Sequence, residues 1–175
     1  MQELGDALSR WHEFYALLGA ASGTLVGLLF VAATVAAGVF STNRQAPLRV
    51  FLSASVVQFA SVLVVSLIML APIPSWIALG IMVLACGLTG LAYYGLVVRD
   101  AAHDGLLANI DLEDRIWYVV LPIIAYLTEA AAGVVLAVMS EPGCPVLAAA
   151  AGMLLVVGIH NAWDITVWTI TRRQG

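Results

Sequence analysis

The chain has 175 residues, of which 62% are hydrophobic and 10% are charged, whereas a soluble domain is about half apolar and about a quarter charged. This composition excludes both a soluble globular protein and a disordered one. The chain has seven basic residues and eleven acidic ones, and this acidic balance argues against nucleic acid as a partner. The basic residues are all Arg, and the lack of Lys excludes a lysine Schiff base and a P-loop.

Five apolar stretches are long enough to cross the hydrocarbon core as helices, which takes about 20 residues each. They are 14–40, 49–71, 76–98, 116–139 and 145–171. The preceding segment, 1–13, mixes apolar and charged residues and is typical of an amphipathic helix at the membrane surface. The one long separator is the acidic loop 99–115, and the shorter ones contain Pro, Gly or Ser. We therefore predict a single all-α domain over 1–175, a bundle of five transmembrane helices.

The arginines predict the orientation of this bundle. Five spans place the N-terminus and the second and fourth loops on one side, which carries only Arg10. The opposite side carries the other six, Arg44, Arg49, Arg99, Arg115, Arg172 and Arg173. The positive-inside rule then predicts an external N-terminus and a cytoplasmic C-terminus in a cytoplasmic (inner) membrane. Interfacial aromatic residues fit this orientation, with Trp11, Tyr15 and Trp76 outside and Tyr93, Tyr94, Trp117, Tyr118 and Trp168 inside.

The two cysteines are predicted to lie too far apart to form a disulfide. Cys86 falls deep in the third span and Cys144 in the outer loop before the fifth. This separation exceeds the limit of about 7 Å between Cα atoms for a bridge. We expect Cys144 to be a free cysteine near the surface, or to pair between subunits.

Glycines in the first span form a stripe of small residues at helical spacing. Gly19, Gly23 and Gly27 follow one another at intervals of four residues. Because lipid gives no hydrophobic drive for helix association, such a stripe allows two backbones to approach closely. It predicts a helix-packing interface, either with another span of the same chain or with a second subunit.

Ionisable residues inside the fourth and fifth spans carry the functional signal. Glu129 shares a helical stripe with Tyr126 and with Pro122, which we expect to kink the helix because it donates no backbone hydrogen bond. A second arc is formed by His160, Asn161 and Asp164 on the fifth span. Depths counted from the arginines at the helix ends pair Glu129 with His160, in contact or across one water, and Gln58 with Asp164.

Two interpretations of these polar residues remain open. An unpaired ionisable residue in the bilayer centre costs several kcal/mol, so these residues should face the bundle interior. They either form a satisfied structural cluster, in which Asp164 accepts a hydrogen bond from Asn161 or Gln58, or they line an ion or proton path. In the second case Glu129 binds the proton or ion, His160 and Asp164 tune it or relay protons, and Gln58 orients them.

A metal or redox centre and an enzyme are weaker hypotheses. Cys86, Glu129 and His160 have similar predicted depths and ligand chemistry, but no spacing motif links them. A bis-histidine haem site needs two intramembrane histidines, but His160 is the one histidine that falls inside a predicted span. Metalloprotease and nucleotide-loop motifs are lacking as well. We predict no enzymatic activity and no cofactor.

The sequence thus favours a small homo-oligomeric membrane channel or transporter for ions or protons. Its partners would be the lipid bilayer, further copies of the chain and the transported ions. The main alternative is a scaffold or accessory membrane subunit that transports nothing. A membrane enzyme or redox protein that binds a metal or cofactor is the third class.

Overall fold

A computed structural model describes the backbone of residues 2–39, 45–103 and 112–171 and the side chains of 3–34, 54–99 and 112–164. The described residues form helices and short turns, and no strand occurs among them. The helices are α1 (Gln2–Val39), α2 (Gln45–Leu70), α3 (Trp76–His103), α4 (Leu112–Arg115), α5 (Leu121–Met139) and α6 (Gly143–Thr171), and a π-helical segment (Ile116–Val120) joins α4 to α5. The predicted all-α architecture is confirmed.

Four helical stretches are long and apolar enough to cross a membrane. They are Glu3–Thr34, Trp76–Arg99, Leu112–Met139 and Gly143–Asp164, and a shorter apolar stretch, Ala54–Leu70, lies in α2. The chain therefore has the fold of a membrane protein. The predicted acidic loop 99–115 is helical at both ends, where α3 runs to His103 and α4 begins at Leu112. Its middle, 104–111, and the side chains of Arg44, Arg49, Trp168, Arg172 and Arg173 lie outside the described residues.

Consecutive long helices run antiparallel. Ser22 of α1 donates a hydrogen bond of 2.8 Å to the Phe59 carbonyl of α2, while Gly19, earlier in α1, meets Ser66, later in α2. The same reversal holds between α5 and α6, since Leu136 packs at Gly143. Arg10 near the start of α1 pairs with Glu141 in the turn before α6, so these two segments lie at the same end of the bundle.

The turn between α2 and α3 is tight, as Pro72 to Ser75 predict. The backbone N–H of Ile73 donates to the Ala71 carbonyl at 2.8 Å. Ser75 then caps α3, because its hydroxyl accepts a hydrogen bond of 3.2 Å from the backbone N–H of Ala78. A serine cap satisfies one of the backbone donors that would otherwise be unpaired at the start of the helix.

The closest helix contact joins α3 and α5. A Cβ added at Gly80, Gly87 or Gly133 would lie within 3.0 Å of backbone atoms of the facing helix. Side chains cannot be accommodated at such a distance, so glycine is what lets the two backbones touch. Gly90 serves the same purpose for the ring of Tyr126.

The predicted glycine stripe of α1 makes only one close contact. A Cβ at Gly19 would lie 3.0 Å from Cβ of Ser66 in α2, which fits the packing within one chain. A Cβ at Gly23 would lie at an ordinary 3.9 Å from the Leu63 side chain, and at Gly27 it would meet no described atom within 4 Å. The stripe therefore contributes less to packing within the bundle than the α3–α5 glycines do.

The N-terminal segment differs from the prediction. Residues 2–13 continue into α1 without a break, so they do not form a separate surface helix. Leu4 and Ala7 are buried, and Leu4 belongs to the apolar core. The amphipathic pattern of this segment reflects packing against the protein itself.

Cys144 is buried in the first turn of α6, which corrects its predicted placement in an exposed loop. The hydroxyl of Tyr15 donates to the Cys144 carbonyl at 3.5 Å. The prediction began the span at Pro145, but proline is readily accepted in the first turn of a helix, so the helix starts two residues earlier. Tyr15 and Tyr94 are also buried, at 0% and 1% exposure, and so they mark no membrane interface.

We expect Gly133→Ala to lower the free energy of unfolding by about 1–3 kcal/mol, because the new Cβ must push the backbone of α3 away. Gly27→Ala is the matched control, since a Cβ there meets no described atom within 4 Å and Ala is favoured over Gly in helices by ~1 kcal/mol. Denaturant unfolding in detergent micelles, followed by circular dichroism, measures both variants. Equal stability of the two would contradict the α3–α5 contact.

Candidate functional site

Glu129 is the most deeply buried ionisable residue of the predicted set. It lies on the buried face of α5 together with Pro122, Tyr126 and Gly133, as the helical stripe predicts. Only 1% of its surface is exposed, and neither carboxyl oxygen has a hydrogen-bond partner among the described residues. The structure thus places a carboxyl group with unused hydrogen-bonding capacity inside the bundle.

Hydroxyl and thiol groups surround this carboxyl. The Tyr126 hydroxyl lies 3.2 Å from Oγ of Ser61 on α2. Tyr126, Tyr15 of α1 and Cys86 of α3 are near enough to Glu129 for a negative charge on its carboxyl group to interact electrostatically with their hydroxyl and thiol groups. Cys86 precedes Gly87, which packs on Ala130, so Cys86 and Glu129 have the similar depth that the sequence predicts. These groups form the carboxyl site: Glu129, Tyr126, Ser61, Cys86 and Tyr15.

His160 lies outside the carboxyl site, which corrects the predicted contact with Glu129. Its ring stacks on Trp117, with ring centroids 3.8 Å apart and an interplanar angle of 5°. Trp117 precedes Glu129 by twelve residues, which is roughly 18 Å along a helix. No single water bridges that distance.

The predicted contact of His160 with Glu129 assumes that the arginines at the helix ends lie at one depth in the membrane, and they do not. Tyr118, three residues after Arg115, places its hydroxyl 3.5 Å from the Asn161 carbonyl. From Asn161, α6 continues to Thr171, ten residues or about 15 Å further. The last turns of α6 therefore extend past the start of α4, and a count from Arg172 placed His160 too deep.

His160, Asp164, Trp117 and Tyr118 form a second polar group, here called the His160 cluster. Nδ1 of His160 lies 3.3 Å from Oδ2 of Asp164, an ion-pair distance without hydrogen-bond geometry. The Tyr118 side chain hydrogen-bonds to Asp164. Both His160 and Asp164 are half-buried, at 30% and 37% side-chain exposure. The cluster joins α6 to the π-helical segment, and Nδ1 of His160 has no hydrogen-bond partner in it.

Gln58 and Asn161 are fully buried near the contact of α2 and α6. The residue after Gln58, Phe59, places its ring against Gly158, three residues before Asn161. Gln58 therefore lies nearer in depth to Asn161 than to Asp164, its predicted neighbour. Neither side-chain amide has a hydrogen-bond partner among the described residues, so the predicted bond from these amides to Asp164 does not form.

The ligand set proposed for a metal does not assemble. Among the described side chains, no three His, Cys, Asp or Glu residues come close enough to hold one ion. Cys86 and Glu129 are close in depth, but His160 lies in the other cluster. The metal or redox hypothesis therefore lacks the arrangement on which it depended.

Tyr94 makes a structural contact beside the site that the sequence did not reveal. Pro122 has no N–H for the carbonyl four residues earlier, that of Tyr118, and the hydroxyl of Tyr94 donates to that carbonyl instead. The π-helical segment ends two residues before Pro122, so the helix changes type there, and the kink at Pro122 stays a prediction. Pro122 indicated that the carbonyl needs a donor, but only the folded structure identifies it.

No protein-family model, no curated protein and no solved structure matches this chain. Its function is therefore argued from the carboxyl site and its surroundings. What that site offers chemically is a carboxyl group that can hold a proton or a cation, next to hydroxyl groups that can donate or accept a hydrogen bond.

We expect Tyr94→Phe to lower the free energy of unfolding by about 1–2 kcal/mol, because it leaves the Tyr118 carbonyl without this donor. In a Pro122→Ala background, the introduced alanine supplies a backbone N–H, so the same change should cost less. A double-mutant cycle from denaturant unfolding in micelles measures the difference. Tyr93→Phe, at an exposed neighbouring position, is the control. Equal costs of Tyr94→Phe in both backgrounds would refute this role.

Proposed function

We propose that this protein is a membrane transporter for protons or small cations, and that Glu129 is the residue that binds them. The observation that carries the proposal is the burial of Glu129 in an apolar helix bundle with both carboxyl oxygens unpartnered among the described residues. Burying an ionised carboxyl group without a partner costs many kcal/mol, so the group requires a proton or a cation. Uptake and release of that ion is the elementary step of transport.

The composition of the bundle supports a mobile cation over a fixed one. The sequence has no Lys or Arg between Arg49 and Arg99 or between Arg115 and Arg172. Hence no basic side chain within these spans can neutralise Glu129 permanently. In this proposal Tyr126 and Ser61, which lie 3.2 Å apart, hydrogen-bond the bound ion or its water. The buried amides of Gln58 and Asn161 lie at the level of the His160 cluster.

We further propose that the chain works as a homo-oligomer. Five helices rarely enclose a transport path without partners, and the second half of α1 presents large apolar side chains to its surroundings. Leu28, Phe30 and Val31 are about 60% exposed. This face is available to lipid or to another copy. The competing function, a scaffold or accessory subunit, requires that Glu129 has no role in flux.

The proposed topology has five spans in a cytoplasmic (inner) membrane, with the N-terminus external. Since Cys144 is buried, single cysteines at exposed sites test it: Ser75→Cys in the second loop and Glu113→Cys in α4, with both native cysteines replaced by Ala. A membrane-impermeant thiol reagent should label Ser75→Cys in intact cells. It should label Glu113→Cys only after the membrane is opened. The reverse pattern would contradict the orientation, and labelling of both in intact cells would contradict the five-span topology.

We expect Glu129→Gln to reduce flux by about tenfold or more, because the amide cannot bind a proton and an effect of about 1.4 kcal/mol is already tenfold in rate. Proteoliposomes with a pH gradient or a gradient of a single cation provide the measurement. Glu113→Gln, which changes an exposed carboxyl in the same way, is the matched control.

Glu129→Asp should retain part of the flux, since it keeps the carboxyl group. Both variants must remain folded, as measured by their unfolding in micelles. Unchanged flux in folded Glu129→Gln would refute the transport function and favour the scaffold.

A further inference from the structure

A groove of about 370 Å³ lies between α2 and α3. Ala60, Ser61 and Val64 of α2 form one wall, and Ala85, Cys86 and Tyr93 of α3 form the other. Its size is at the lower end of the range of small-molecule sites, about 300–1,000 Å³. The groove is large enough for a compact organic molecule.

The groove opens towards the lipid. Val64 and Tyr93 at its rim are 43% and 37% exposed, and Ala85 is exposed as well. Ala85 lies well inside the stretch Trp76–Arg99, which is long and apolar enough to cross a membrane. A molecule that enters the groove therefore comes from the hydrocarbon part of the bilayer, and it must be soluble there.

The carboxyl site lies behind the groove. Ser61, in one wall, is 3.2 Å from the Tyr126 hydroxyl, and Tyr126 packs its ring against Gly90, another lining residue. Cys86, in the other wall, is within electrostatic range of Glu129. Glu129 does not itself line the groove; it lies one turn of α5 after Tyr126, so its carboxyl group, without a partner among the described residues, is behind the inner wall.

Charge and ring chemistry together define the occupant. The walls favour apolar surface, and the carboxyl group, when ionised, favours a positive charge over a negative one. Tyr93 and Tyr126 add aromatic rings, which attract cations over their faces by about 0.5–2 kcal/mol. A neutral lipid chain would leave the carboxyl unpartnered, and an anion would be repelled by it.

We propose that this groove binds a lipophilic organic cation, such as a hydrophobic ammonium or phosphonium, whose charge is balanced by Glu129. This inference rests on the proposed function and names the substrate class of the same carboxyl. The cation enters sideways from the bilayer between α2 and α3. Its apolar groups occupy the groove, and its charge lies towards α5.

Equilibrium dialysis of the detergent-solubilised protein tests the proposal with tetraphenylphosphonium as the probe. Tetraphenylborate has the same shape and the opposite charge, so it should bind at least about tenfold more weakly, which corresponds to about 1.4 kcal/mol. Glu129→Gln should weaken tetraphenylphosphonium binding by a similar factor. Equal affinity for the two probes, or no effect of Glu129→Gln, would overturn the proposal.

Substitutions in the groove complete the test. Ala85→Phe and Val64→Trp fill it from opposite walls, and both should abolish binding of tetraphenylphosphonium. Ala131→Phe, at an exposed position of α5 outside the groove, should leave binding unchanged. Unchanged binding in both filled variants would place the probe elsewhere and reject the groove as the site.

Flux measurements separate this inference from the proposed function. If tetraphenylphosphonium does not bind while Glu129→Gln still abolishes proton or cation flux, the groove inference is wrong and the transport function stands. If Glu129→Gln leaves flux unchanged but weakens binding of the probe, the transport function is wrong. The site is then a binding site alone.

Discussion

Backbone contact between α3 and α5 is the constraint on which the rest of the structure depends. Apolar side chains gain little from association in lipid, so helices are held together by close packing. Gly80, Gly87 and Gly133 allow this packing because each faces the backbone of the opposite helix. The contact fixes Ala130 against Gly87 and the Tyr126 ring against Gly90, and it thereby fixes Glu129 between them. The position of the carboxyl follows from where glycines occur on the neighbouring helix.

Polar side chains on the described helices differ in whether they have a hydrogen-bond partner. Thr89 and Thr128 donate to the carbonyls four residues earlier, at 2.7 Å in each case, and Ser22 donates to Phe59 of α2. These short side chains are satisfied by helix backbones, as membrane proteins require. The longer side chains of Glu129 and Gln58 reach no such partner among the described residues. The buried hydroxyls of Ser55 and Ser66 also lack a partner there, so what distinguishes Glu129 is its carboxyl group and not the missing hydrogen bond alone.

The positions of the helices and their buried faces were predictable from the sequence because they depend on local pattern. Apolar length located the helices, and helical spacing placed Tyr126, Glu129 and Gly133 on one buried face. Relative depth between helices was not predictable from local pattern. It depends on the level at which each helix ends. The last turns of α6 lie beyond the level of Arg115, from which the depth of Glu129 was counted. That offset moved His160 away from Glu129 and Gln58 away from Asp164.

Hydrogen bonds between a donor on one helix and an acceptor on another were also not predictable from the sequence. Pro122 predicts that the Tyr118 carbonyl needs a donor, yet any hydroxyl on a neighbouring helix satisfies that requirement equally well. Gly80 and Gly87 were not distinguishable from the glycines of α1, since a small residue signals close approach only if a backbone faces it. The sequence therefore identified the candidate carboxyl, its stripe neighbour Tyr126 and the depth of Cys86, but not Ser61 or Tyr15.

The separation of the two polar groups changes what a transport mechanism must accomplish. A carboxyl and an imidazole in contact could exchange a proton directly, but roughly 18 Å of helix lies between the levels of Glu129 and His160. The buried amides of Gln58 and Asn161 lie at the level of the His160 cluster and not at that of Glu129. The groove between α2 and α3 borders the carboxyl site from the lipid side. The proposed carrier function requires two routes to the carboxyl group that open in turn, and the groove is the candidate for one of them. Because α2 forms one wall of the groove and also packs Phe59 on Gly158 of α6, a displacement of α2 would alter the groove and the α2–α6 contact together.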